Sequence, residues 1–260
     1  MKHWISSNRK QLLIFAALLA VHATLVFVTL ASELYWQLLP PGTMPSQLPP
    51  VPSWLLGLAN AGIIVVLYGL LGLAGLWFAR RLGLPGVFRE AAGWRNWFLV
   101  PMALGLVLGF VIALGDRIFA SLGDWGGSRH PPFPTSLIAS ATAGIGEEIL
   151  FRAFVMGLWA FLADLALRRW KATEIALWIG NVIGALAFAA GHIPAAMVIL
   201  GVSSPAGIPP LALAEMLILN GIVSLVAGQQ YVRNGLVAAV GVHFWADVVW
   251  HVVWPLVATG

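Results

Sequence analysis

Seven apolar runs of about 20 residues or more follow one another along the chain. They cover about 11–31, 54–79, 97–120, 136–163, 174–200, 211–230 and 235–257. A bilayer's hydrocarbon core takes about 20 helical residues to cross. Only helices and closed barrels satisfy every backbone polar group there. The runs are too long for barrel strands and do not alternate, so helices are predicted. The expected fold is all-α: a polytopic transmembrane helical bundle of about seven spans, read as a single transmembrane domain over 1–260.

Composition agrees. Of 260 residues, 60% are hydrophobic and 9% charged, against about 25% charged in an ordinary soluble domain. With no cysteine there is no disulfide, thiolate metal site or cysteine nucleophile. The net charge of +4 does not point to nucleic acid, because basic residues in such a chain mark cytoplasmic loops. Eleven of the 14 Lys and Arg fall at one end of the predicted bundle, in the segments before the first span and after the second, fourth and sixth. The positive-inside rule then places the N-terminus in the cytoplasm and the C-terminus outside, across what reads as a bacterial cytoplasmic membrane. The first run is too long for a signal-peptide core and is read as a retained helix.

Between the spans, two segments carry a pattern. Residues 36–53 hold six of the 16 prolines and cannot be helical throughout. Leu84 to Trp97 mixes aromatic and charged residues, which predicts a short amphipathic helix along the cytoplasmic interface. The pairs Gly105/Gly109 and Gly180/Gly184 predict close helix packing.

Ionisable residues inside apolar spans are costly and mark functional candidates. The fourth span contains Gly146-Glu147-Glu148-Ile149-Leu150-Phe151-Arg152. Glu148 and Arg152 are four apart and share a helical face, so Arg152 can neutralise Glu148. Glu147 points about 100° away and is left available for chemistry. Phe188 and His192 share a face in the fifth span, and His243 and Asp247 in the last. His251 follows one turn on and is expected at the interface; a His243/Asp247/His251 metal strip is the lesser alternative. Glu215 is expected near headgroups, Asn220 in an interhelical hydrogen bond, and His22 in the core or an interhelical hydrogen bond. Glu, His, His and Asp on three helices suit activation of water with polarisation of a carbonyl. They also suit a divalent metal such as zinc, a proton-coupled transporter, or a non-catalytic scaffold or immunity-type protein that keeps the pocket for binding.

The motifs E-E-x-x-x-R, F-x-x-x-H and H-x-x-x-(N or D) occur in order over about 136–250. The chain resembles the CPBP family, the type II CAAX prenyl proteases with the bacterial bacteriocin-processing and Abi proteins. The resemblance implies an intramembrane endopeptidase acting on a membrane or lipid-modified protein or peptide within the lipid bilayer. It implies Glu147 as the base that activates water and His192 as a holder of that water. His243 and Asp247 take the oxyanion position, and Glu148 and Arg152 fill the remaining motif positions. Both metal-dependent and metal-free glutamate mechanisms are proposed for the family, and the metal-free one is slightly preferred here because no single-helix ligand pair of the H-E-x-x-H kind is present. Asp247 stands where the eukaryotic members mostly carry Asn. Other intramembrane protease types fit worse: H-E-x-x-H and G-x-S-G are absent, and Ala113-Leu114-Gly115-Asp116 lacks the first glycine of G-x-G-D. At 1.5 Å per residue, ideal helices put Glu147 mid-membrane, His192 towards the outer face and His243 towards the inner one. Tilted or broken helices, or other span boundaries, would let them converge, and Gly191 and Pro194 beside His192 suggest a break.

Overall fold

A computed structural model describes residues 9–40, 51–123 and 130–258. Most of the proline-rich connection lies outside the described residues, as does Lys2. Among the described residues there is no strand. Seven helices are long and apolar enough to cross a membrane: α1 (Arg9–Ala31), α2 (Ser53–Arg81), α3 (Arg95–Leu122), α4 (Thr135–Trp170), α5 (Thr173–Leu200), α6 (Pro210–Asn234) and α7 (Leu236–Val257). The chain is an integral membrane protein. Its apolar side chains are plentiful at the surface, with Leu70, Val107 and Leu186 each more than 60% exposed, as a lipid-facing surface requires.

Close approach between helices comes from missing side chains. A Cβ on Gly105 would lie 2.5 Å from the Val242 carbonyl oxygen, and one on Gly109 2.6 Å from that of Ala246. A Cβ on Gly180 would lie 2.6 Å from the Met156 oxygen and one on Gly184 3.2 Å from the Phe151 oxygen. Both predicted glycine pairs therefore set helix contacts, α3 on α7 and α5 on α4.

Four stretches are π-helical rather than α-helical: Ile64–Tyr68, Arg95–Leu99, Ile149–Met156 and Val248–Val253. Such widened turns recur at functional sites. Two of them begin directly after Glu148 and after Asp247.

The predicted amphipathic helix over Leu84 to Trp97 is not formed. Residues 84–93 are irregular, and the helix starts only at Trp94. Gly83 and Gly86 have φ of 69° and 77°, and Pro85 lies between them. Side-chain-bearing residues resist that left-handed conformation. The segment tucks inward, with Val87 fully buried. Gln11 fastens it: the Val87 N–H donates to Gln11 Oε1 at 2.8 Å, and Gln11 Nε2 donates to the Phe88 oxygen at 2.8 Å. The same loop satisfies the joint between α6 and α7. The Leu236 N–H donates to the Gly86 oxygen at 3.0 Å, and Val237 N–H to Val87 oxygen at 2.9 Å. At that joint Gly235 has φ of 95°, and a Cβ there would lie 2.8 Å from Phe88. A one-residue joint so pinned fixes where α7, and with it His243, begins.

Candidate active site

The site is built from α4, α5 and α7. Glu148 and Arg152, on either side of the start of a π-helical stretch, are both fully buried, and Arg152 Nε lies 3.0 Å from Glu148 Oε2. Arg152 Nη2 also donates to Glu148 Oε1 at 3.1 Å. Two contacts of this kind offset much of the cost of taking both charges out of water. The guanidinium sits 4.8 Å from the centre of the Phe188 ring.

Glu148 reaches onward to α7. His243 Nδ1 lies 2.9 Å from Glu148 Oε1. A carboxylate only accepts, so Nδ1 carries the hydrogen. His243 Nε2 then lies 3.5 Å from Asp247 Oδ2 and 3.9 Å from Glu147 Oε2. One buried imidazole is thus surrounded by three carboxylates, of which Arg152 engages one.

Glu147 is placed differently from its neighbour. Its side chain keeps 33% of its surface exposed. Its Oε2 is nevertheless enclosed and has no hydrogen-bond partner. Adjacent glutamates thus occupy opposite situations, one locked in an ion pair and one uncommitted.

His192 joins them because α5 changes course. The regular helix ends at Gly191, and His192 caps it with φ −83° and ψ −11° before the turns Ile193–Leu200, where Pro194 stands in the first turn. The break anticipated from Gly191 and Pro194 is present. His192 Nδ1 lies 2.9 Å from the Phe188 carbonyl oxygen, so Nδ1 donates and Nε2 keeps its lone pair when neutral. The Phe188 ring centre is 4.9 Å from that of His192 and 5.3 Å from that of His243. His192 is near enough to Glu147 and Asp247 for its charge to act on both. All six predicted residues therefore come together.

Several other expectations are corrected. His251, expected at the interface, has a protein partner there. It is half-buried, with Nδ1 3.1 Å from Nδ1 of His130 and its ring 4.2 Å from that of Trp250. Glu215 is buried rather than open to headgroups: it shares a face with Leu219, which packs on Gly115 of α3. Asn220 bonds within its own helix, donating to the Met216 oxygen at 2.8 Å. His22 is core, as one alternative had it, but its buried Nδ1 makes no interhelical hydrogen bond. Reading the sequence alone misses two neighbours of the site, Tyr68 and His130. No motif marks either, and each meets its partners across a long stretch of chain.

Residues 129–249 match the family described as type II CAAX prenyl endopeptidase, Rce1-like. Over that stretch, a little under half of its length, the chain is similar to that family. The matched segment holds Glu147, Glu148, Arg152, His192, His243 and Asp247. It leaves α1, α2 and α3 outside. No curated protein and no solved structure gives a significant match.

The donor set was also a candidate for a divalent metal. Among the described residues no three His, Asp or Glu side chains are arranged to hold one. His243 Nδ1 is taken by Glu148, and Glu148 by Arg152. The side chains as placed do not fit a metal centre, and no step below is drawn through one.

Proposed function

We propose that the protein is an intramembrane endopeptidase that hydrolyses a peptide bond in a membrane-associated or lipid-modified protein or peptide, by a metal-free glutamate mechanism. The observation that carries this reading is the Glu147 carboxylate, whose Oε2 has no hydrogen bond, beside Glu148 paired to Arg152 and His243. A carboxylate held without a partner in a mostly apolar bundle is costly. Its use as a base repays that cost in chemistry rather than in stability.

In the proposed reaction, water sits between Glu147 and His192, with His192 Nε2 accepting one of its hydrogens. Glu147 takes a proton as the water oxygen bonds to the carbonyl carbon. The carbonyl oxygen gains negative charge opposite His243 Nε2, which, protonated, donates to it. Glu148 fixes the imidazole through Nδ1, as an orienting carboxylate does elsewhere. Asp247 steadies Nε2–H before substrate arrives. Collapse of the intermediate breaks the C–N bond, and the proton on Glu147 passes to the leaving amine. The immediate products are a carboxylic acid and an amine, the acid then passes its proton to the amine to give carboxylate and ammonium, and Glu147 returns to its starting form.

The similarity to a type II CAAX prenyl endopeptidase family supports a prenylated protein ending in a CAAX sequence as one substrate class. The bilayer and a membrane-bound substrate are the partners, with the N-terminus in the cytoplasm of a bacterial cell and the C-terminus outside. The test is incubation of the purified protein with a membrane proteome and, separately, with a prenylated peptide ending in a CAAX sequence. New peptide ends should appear with the wild type and be missing with Glu147→Gln. Ends that appear equally with both proteins would reject the assignment.

A further inference from the structure

The family match leaves the first three helices outside, yet α1 and α2 send two side chains to the residue beside Glu147. His22, on α1, is 3% exposed. Its ring lies flat against Gly146: a Cβ at that position would overlap His22 Cε1 and lie 2.8 Å from Nε2. Only a glycine at the position before Glu147 lets that ring in. On α2, Tyr68 ends the π turn Ile64–Tyr68. Such a turn carries an extra residue and re-aims the side chains that follow. The Tyr68 ring meets the His22 ring edge-on, centres 5.1 Å apart at 87°. The phenol is also near enough to Glu147 to feel that carboxylate's charge.

Glu147 Oε2, meanwhile, is enclosed and lacks a hydrogen-bond partner. The His243 Nε2 at 3.9 Å is beyond hydrogen-bonding distance. The buried Nδ1 of His22 has no hydrogen-bond partner. Its ring acts as a wedge between Gly146 and Tyr68.

We propose that Tyr68, braced by His22, is a positioning residue for Glu147: through one bridging water its hydroxyl donates towards Glu147 Oε2 and holds the carboxylate in the orientation that receives the proton. The inference rests on the reading of Glu147 as the base. It assigns the helices outside the family match a part in the site. No covalent step is added, and the proton that Glu147 takes still goes to the leaving amine.

Two readouts test it, one of which needs no activity. In infrared difference spectra of the purified protein, the carboxyl band that Glu147→Gln removes should shift in Tyr68→Phe. That variant keeps the ring against His22 and loses only the hydroxyl. On a prenylated peptide ending in a CAAX sequence, Tyr68→Phe should lower kcat about 10- to 100-fold, the loss of one hydrogen bond to a charged group. KM and the thermal midpoint should stay unchanged. His22→Phe, which keeps a ring in the wedge, should retain kcat, while His22→Ala should fall as far as Tyr68→Phe. An unmoved Glu147 band together with wild-type kcat in Tyr68→Phe would overturn the proposal. Cleavage that survives Glu147→Gln would instead reject the endopeptidase reading, and the band shift would still decide whether Tyr68 reaches Glu147.

Discussion

His243 and His251 stand eight residues apart on the last helix, and the two imidazoles are held in opposite ways. His243 is buried among carboxylates, 2.9 Å from Glu148 and 3.5 Å from Asp247, with Arg152 behind Glu148. His251 is half-buried and faces another imidazole, that of His130, at 3.1 Å, between Trp250 and the influence of Asp116. One cluster is a network of opposite charges that fixes orientation. The other is a contact of two like groups that persists only while at least one of them is neutral. Chemistry that builds negative charge belongs at the first, where a fixed positive group is already supported. The second is suited to holding the loop before α4 against the end of α7.

The largest effect that separates the clusters is on catalysis. Glu147→Gln should lower cleavage by about 10²–10⁴-fold, the usual contribution of a positioned base, with an unchanged melting curve. His130→Ala should leave the same assay near wild type. Equal losses at the two positions, measured as kcat/KM, would erase the distinction. Next comes stability. Glu148→Gln leaves Arg152 buried with a weaker partner and should cost up to about 3–5 kcal/mol, the scale for breaking a buried ion pair. Lowered folding yield and a lowered melting temperature in detergent would show it. A fully folded Glu148→Gln protein with only a catalytic defect would mean that the network holds chemistry rather than structure.

Asp247 sharpens the picture within the first cluster. Its Oδ2 lies 3.5 Å from His243 Nε2, while Glu148 already fixes the other ring nitrogen. Asn keeps the size and adds a neutral donor. Asp247→Asn should therefore keep at least about a tenth of the activity, while Asp247→Ala falls by about 10²–10³, the scale of a lost oxyanion donor. If Asn is as inactive as Ala, with both proteins folded, then the negative charge is what matters.

Some of this was legible in the sequence. The seven spans follow from the length of the apolar runs, and the six site residues from ionisable groups and motifs inside them. The i, i+4 spacing of Glu148 and Arg152 reads correctly even though a π-helical turn lies between them. Ideal helices, however, leave Glu147, His192 and His243 at different depths. Their convergence depends on the break at His192, which Gly191 and Pro194 signal in the sequence, and on the joint at Gly235, which tertiary packing sets. The loop at 84–93 carried an amphipathic pattern, but its glycines at positive φ turn Val87 and Phe88 inward. The contact of His130 and His251 spans 121 positions, and no local pattern encodes it. Tyr68 was invisible for the same reason: a π turn is decided by what the helix packs against.

The smallest expected effect concerns the second cluster and pH. His130 lies outside the spans, where burial, then the neighbouring His251, pushes its imidazole down from 6.5 to about 4, against a weaker opposing pull from Asp116. In the unfolded chain the same group protonates near 6.5. Between those values the unfolded state binds the extra proton and the folded state does not. The stability that comes from keeping His130 neutral is thus present above about 6.5 and is lost as pH falls towards 4. Other groups titrate in this range, so the comparison must be made between variants. The wild-type melting temperature should fall between pH 7 and pH 5, and the fall should be smaller in His130→Asn, which keeps polar contacts without titrating. Fluorescence attributable to Trp250 in the folded protein, isolated by subtracting Trp250→Phe, should stay level over that interval and change only as pH falls through about 4, because the His130 ring lies edge-on to the indole at 5.4 Å. A fall of equal size in both proteins would mean that the pair at the end of α7 is not what acid loosens, and the contrast between the two histidine clusters would then rest on catalysis alone.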